Sequence, residues 1–165
     1  MIVVSDTSPI NYLLLIGLLD ILPELFGKVI IPSAVYVELC HPAAPQVVGD
    51  WVANLPDWVE VRTVSHLDPS LELGAGESEA ITLAVLIKAD ALLIDERKGR
   101  KEAVARGLVV SGTLNVIEAA AERGLIDLRQ ACTLLLQTNF RASTAVIQEL
   151  LRRDAERKVS AGLDG

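Results

Sequence analysis

The chain has 165 residues, 51% of them hydrophobic, enough to bury a core without disulfides or a structural metal, and a single domain over 1–165 is expected. A net charge of −7 excludes a protein that coats nucleic acid through a broad Lys/Arg surface, but leaves room for an enzyme that gathers carboxylates around a cation. Its two cysteines, Cys40 and Cys132, lie far apart without histidines in ligand spacing, which predicts two buried thiols and neither a disulfide framework nor a zinc site.

Short runs rich in Val, Ile and Leu alternate with longer helical patterns, the signature of βαβ units around a parallel sheet and hence of an α/β fold. The first strand is expected over 2–5. Met1-Ile2-Val3-Val4-Ser5-Asp6 has no basic region ahead of its apolar residues and no small-residue cleavage site, so it does not read as a signal peptide, and a cytoplasmic protein is expected. In Asp6-Thr7-Ser8-Pro9, Ser8 is placed to cap a helix and Pro9 to occupy its first position. The charge-free run 7–19 that follows is shorter than the roughly 20 residues a membrane span needs, so no membrane partner is expected. Gly17 and Pro23 divide this leucine-rich segment into two short helices ending near Phe26-Gly27, before a strand over 29–31 that Pro32 stops.

Helices are expected over 33–40 and 46–54, with an edge strand over 59–62 and a polar loop over 65–76. A strong helix over 77–88 follows, apolar at Ala80, Leu83, Ala84 and Ile87 and widened by Ile81 and Val85, so it is expected to be buried around much of its circumference. The continuous run 91–94 reads as a central parallel strand ending at Asp95. A helix over 98–106, closed by Gly107, leads to a strand over 108–110. Helices over 113–123, 128–138 and 144–157 complete the chain, ahead of a frayed tail over 160–165.

In an open parallel sheet, functional groups collect beyond the carboxyl ends of the strands, and Asp6 and Asp95 both follow a strand directly. Read singly, Asp6 is also a turn or capping residue and Asp95 the cap of the next helix. Glu38 lies beside Leu39 and three residues after Val35, at the border of an apolar helix face, which makes it a candidate third ligand against the plainer reading of a solvated surface charge. Glu77 opens the buried helix, a place that the helix dipole alone also explains. Glu79 competes with it. The two lie about 200° apart around an ideal helix, so they do not both face one site.

The order Asp6-Thr7-Ser8 after the first strand, Glu38 on an early helix, Gly76-Glu77-Ser78-Glu79-Ala80-Ile81 opening a central helix and Leu93-Ile94-Asp95-Glu96-Arg97 at a strand end resembles a PIN domain. It is most similar to the VapC-like and uncharacterised prokaryotic PIN proteins. The likeness covers a core of about 1–124, with a helical extension over about 125–159. It implies an α/β/α sandwich around a parallel sheet, a Mg²⁺- or Mn²⁺-dependent ribonuclease acting on RNA, often a homodimer and often the toxin of a toxin–antitoxin pair with an antitoxin protein as partner. Carried over residue by residue, Asp6, Glu38, Glu77 and Asp95 fall on the acidic quartet and Ser8 on its supporting hydroxyl. The third acid is commonly Asp in VapC-like toxins and is Glu here, with Glu79 an alternative to Glu77 and Glu96 to Asp95.

The chemistry is consistent with that likeness. Two carboxylates about 5 Å apart repel by roughly 3 kcal/mol at an effective dielectric near 20, so a cluster of them needs a cation or a proton. Oxygen ligands select a hard ion such as Mg²⁺ or Mn²⁺, which activates water for attack on a phosphodiester. No histidine is required, and His41 and His66 fall in predicted loops. Arg97-Lys98-Gly99-Arg100-Lys101 follows Asp95 directly, and Arg97 and Arg100 are the best candidates for RNA phosphate contact because guanidinium forks match phosphate. The basic residues Arg152, Arg153, Arg157 and Lys158 have acids interleaved among them, as in an ordinary charged face. An aspartyl phosphohydrolase of the haloacid-dehalogenase kind wants a second Asp where Ser8 stands, and a receiver domain an acidic pair that is absent. A non-catalytic PIN-like module that binds RNA or protein is the alternative.

Overall fold

The apolar runs Val3-Val4 in Val3–Ser5 (β1) and Val29-Ile30-Ile31 in Val29–Pro32 (β2) mark strands covered on both faces, and every residue of the two strands is buried, the polar Ser5 included. The computed structural model describes residues 1–162; the last three positions of the tail expected to fray, 163–165, lie outside the described residues. β1 is the centre of a five-stranded, all-parallel sheet completed by Val59–Arg62 (β3), Ala91–Leu93 (β4) and Val110–Ser111 (β5), in the order β3-β2-β1-β4-β5. Val3 stands opposite both Val29 and Ala91, and Ser5 opposite Leu93. The chain leaves β1 toward β2 and β3 on one side and returns to β4 and β5 on the other. The strand order therefore reverses between β1 and β4, and such a reversal opens a crevice beyond the carboxyl ends of those two strands.

Helices flank this sheet: Thr7–Leu15 (α1), Ile21–Phe26 (α2), Ser33–Leu39 (α3), Gln46–Ala53 (α4), Ala75–Leu86 (α5) and Arg97–Ala105 (α6). Helix α5 is buried from Ser78 to Ala84 except at Glu79, as its wide apolar surface predicts. Its Ala80, Ile81, Leu83 and Ala84 pack with Val4, Ile30, Leu92, Ile94 and Ala103 in one core cluster. Val85, expected to widen that surface, is instead 43% exposed.

Three local expectations are corrected. Helix α1 starts two residues early: Asp6 is its N-cap and Ser8 lies inside its first turn. The Asp6 N–H is taken by the Leu93 carbonyl at 2.9 Å, so the extended backbone of Asp6 turns straight from sheet to helix, and Pro9 still falls in the first turn, where its missing N–H is tolerated. Strand β5 begins later than expected because the Leu108 N–H bonds back to Ala103 and Gly107, at φ +80°, closes α6. Of the cysteines, both free, Cys132 is buried but Cys40 is exposed, since it caps the end of α3.

Residues 1–113 make one compact unit and the chain from Leu114 onward a second. The second is helical, built from Thr113–Glu122 (α7), which begins on the last residue of the first unit, Leu128–Leu136 (α8) and Thr144–Ser160 (α9). Asp127 and Ser143 cap α8 and α9 through the N–H groups of Gln130 and Val146. Basic residues of α9 pair with the interleaved acids, Arg152 with Glu149 at 2.6 Å and Lys158 with Asp154 at 3.0 Å, whereas Arg153 also reaches Glu118 of α7 at 2.9 Å, a pair that the spacing within α9 does not predict. No helix among the described residues is long and apolar enough to cross a membrane.

Candidate functional site

Asp6 stands at the crevice because β1 ends at Ser5 and the Asp6 main chain bonds the end of β4. Its side chain is buried, at 4% exposure for the residue. Oδ1 is the one buried side-chain polar atom among the described residues without a hydrogen-bond partner. Burial pushes the Asp6 carboxyl from 3.8 up to about 7; the Thr7 N–H opposes this, while the charges of Glu77, Glu38 and Asp95 add to it. The fields of the other three acids thus converge on Asp6.

Glu38 projects from α3 and is held by two other elements. Its Oε1 accepts from the Gly76 N–H at 3.0 Å, in the first turn of α5, and its Oε2 accepts from the Thr7 hydroxyl in α1. The free N–H groups of a helix start suit a carboxylate, so α5 orients this acid. Glu77, next in α5, is half-buried. Its carboxyl is raised above the ordinary value first by burial, then by Glu96 and Glu38, with Lys98 opposing.

Asp95 follows β4 and is clamped at both oxygens by one residue: the Thr113 N–H donates to Oδ1 and the Thr113 hydroxyl to Oδ2, each at 2.7 Å. Burial raises the Asp95 carboxyl, against the two Thr113 bonds and the nearby Arg100 charge. Arg100 is half-buried, and its Nη1 donates to the Ile94 carbonyl at 3.1 Å. Arg97 is exposed at the start of α6, and Lys98 Nζ reaches the Glu72 carbonyl at 3.1 Å.

The alternatives separate in space. Glu79 turns to the first turn of α3, where it accepts from the Ala34 N–H at 3.3 Å, whereas Glu77 is among the charges that act on Asp6. Glu96 is the exposed N-cap of α6 and acts on Glu77. Ser8 sits beside Thr7 in the first turn of α1, and it is Thr7 that donates to Glu38. His41 and His66 are exposed in loops.

Sequence reasoning missed Thr7, Gly76 and Thr113 as partners of the acids. For Thr113 a signal existed: it follows the last strand, at the same sheet edge that drew attention to Asp6 and Asp95. For Gly76 nothing local marks a bond to a side chain 38 residues away.

The donor set consists of carboxylate oxygens, one of them buried and unpartnered, under mutual repulsion; these residues fit a hard divalent cation. Among the described residues no group of three or more His, Cys, Asp or Glu is already set to hold a metal ion. Glu38 is drawn toward Thr7 and Gly76, and Asp95 toward Thr113.

A family model described as a PIN domain, DUF3368, matches residues 2–156 of the chain. Among solved structures, a PilT N-terminus domain protein from the hyperthermophilic archaeon Sulfolobus solfataricus P2 is similar, with a TM-score of 0.51 and 17% identity over 87% of this chain and 100% of that one. At that identity the likeness speaks for the fold alone. No curated protein matches the chain.

Proposed function

The chain belongs to the PIN domain family, whose members are generally nuclease-like, and on that premise we propose that it is a Mg²⁺- or Mn²⁺-dependent endoribonuclease that hydrolyses RNA phosphodiester bonds. The observation that carries this reading is the buried Oδ1 of Asp6, unpartnered and facing the negative field of Glu38, Glu77 and Asp95. A carboxylate in that position is costly without a cation or a proton.

In this reading Asp6, Glu38, Glu77 and Asp95 hold the ion. When bound, a hard divalent cation supplies Lewis acidity that activates water and offsets the charge growing on a phosphodiester. Asp6 offers the oxygen that lacks a protein donor. Thr7 and Gly76 aim Glu38, and Thr113 aims Asp95. Arg97, exposed beside the site, meets the RNA backbone. Arg100 is tied to the Ile94 carbonyl and serves chiefly as counter-charge to Asp95. Within a cell this activity is that of a cytoplasmic toxin, restrained by an antitoxin protein and carried by a homodimer.

The test is cleavage of a mixed structured and single-stranded RNA pool with Mg²⁺, Mn²⁺ or EDTA, comparing the unaltered chain with Asp6→Asn and Asp95→Asn. Cutting that needs the metal and is lost in both folded variants is expected, with rates down at least about a hundredfold, as when an essential charged group is removed. Absence of cutting by the folded, metal-supplied protein would leave a binding module that keeps the fold without the reaction.

A further inference from the structure

The glycines of the first unit fall into three kinds. Gly17, Gly27 and Gly107 adopt positive φ, which explains them by backbone conformation. Gly49 and Gly74 face open space, with nothing within 4 Å of where a Cβ would stand. Gly76, Gly99 and Gly112 have ordinary φ and no room. A Cβ at Gly76 would lie 2.5 Å and 2.6 Å from the Glu38 carboxylate oxygens. One at Gly99 would lie 2.9 Å from Oε2 of Glu77 and 2.7 Å from the Ile94 Cδ1 methyl. One at Gly112 would lie 2.9 Å from Oδ1 of Asp95 and 2.6 Å from the Arg100 guanidinium.

Each crowded glycine therefore abuts a different acid of the candidate site, from three separate places: the start of α5, the start of α6, and the link from β5 to α7. We propose that Gly76, Gly99 and Gly112 are positioning residues that keep open the room in which Glu38, Glu77 and Asp95 stand. This rests on the metal-site reading above for its purpose, and on the close approaches alone for its geometry. In all three cases the closest atoms belong to the ends of side chains, not to backbone. An added methyl group therefore displaces the Glu38 carboxylate at Gly76, the Asp95 carboxylate together with the Arg100 guanidinium at Gly112, and the Glu77 carboxylate at Gly99, where it also presses on the buried Ile94. For Gly76 and Gly99, both in helical first turns, Ala is also the better helix former.

The experiment is Mn²⁺ titration calorimetry and thermal unfolding of Gly76→Ala, Gly99→Ala and Gly112→Ala, with Gly49→Ala as the control in open space. Expected is a single cooperative unfolding transition in all three, with the midpoint lowered where the carboxylate leaves its Thr113 or Gly76 donor or Ile94 is crowded, and Mn²⁺ affinity lower by at least about tenfold, the range seen when the supports of a ligand are lost. The control should bind as the unaltered chain does. Crowded variants that bind Mn²⁺ normally would overturn the proposal. A second readout does not depend on any ion: Gly76→Ala should shift the unfolding midpoint more favourably in a Glu38→Ala background than in the native one, because the obstructing carboxylate is gone. Equal shifts in both backgrounds would overturn the proposal. If the unaltered chain binds no Mn²⁺, the metal-site reading fails and this cycle alone decides on the glycines.

Discussion

Asp6 carries two opposed demands. Its place at the end of β1 buries it, and burial together with three neighbouring acids raises its carboxyl to about 7. The folded chain thus keeps a proton that the unfolded chain releases above 3.8, so the stabilisation is complete below that value and is lost as pH rises through about 7. Asp95 and Glu77 are raised in the same direction. In EDTA, the unfolding midpoint should therefore fall between pH 5 and pH 8. Asp6→Asn should flatten that slope and raise the midpoint at pH 8, while abolishing cleavage; a slope unchanged in Asp6→Asn would place the titration elsewhere. Thr113, fully buried, is the second residue on which the site leans. Thr113→Val removes the hydroxyl bond to Asp95 and should cost about 2 kcal/mol in urea unfolding, the typical worth of a bond to a charged group, whereas Thr113→Ser should recover most of it.

Among the elements, α5 links the core to the site. Its first turn supplies the Gly76 N–H and Glu77, and its middle is the most buried stretch of helix in the first unit. Ile81, at 0% exposure inside the core cluster, should lose about 3 kcal/mol on replacement by Ala, and Leu86, at 65% exposure, less than about 0.5 kcal/mol on replacement by Gln. Equal effects at the two positions would mean that the helix is packed otherwise. The sequence reading of this helix ran over 77–88, and the observed span is Ala75–Leu86. The pattern of apolar residues located the element, but its ends are set by Gly74 as N-cap and by Lys88, which turns into the left-handed region at φ +53° without being glycine.

At the scale of the whole molecule, the leucine-rich α1–α2 segment has most of its apolar side chains packed inside the chain, so it leaves little surface for the homodimer that the family likeness implies. Ile10, Leu13, Ile16, Leu19, Ile21 and Leu22 of the α1–α2 segment are buried. Leu15 remains at 36% exposure, and in the helical second unit Leu125, Leu136, Val146 and Val159 are exposed. If the protein acts as a homodimer, sedimentation at micromolar concentration should give twice the monomer mass, and Leu136→Glu should reduce it. A monomer across that range would remove the dimer from the proposed function and leave the site, which lies within residues 1–113, unaffected.

The local pattern of the chain determined the α/β class, the approximate place of each element, the strand-end positions of Asp6 and Asp95, and the place of Glu77 in the first turn of α5. These are legible because amphipathic periods, glycines and prolines act over a few residues. Tertiary structure alone decided that β4 pairs with β1 and so brings Asp95 to Asp6, that Glu77 and not Glu79 lies among the charges acting on Asp6, and that Thr113 and Gly76 hold two of the acids. Those outcomes depend on which strands become neighbours and on how closely their connections pack. Contacts between residues 18 to 38 positions apart leave no mark on the periodicity of either segment.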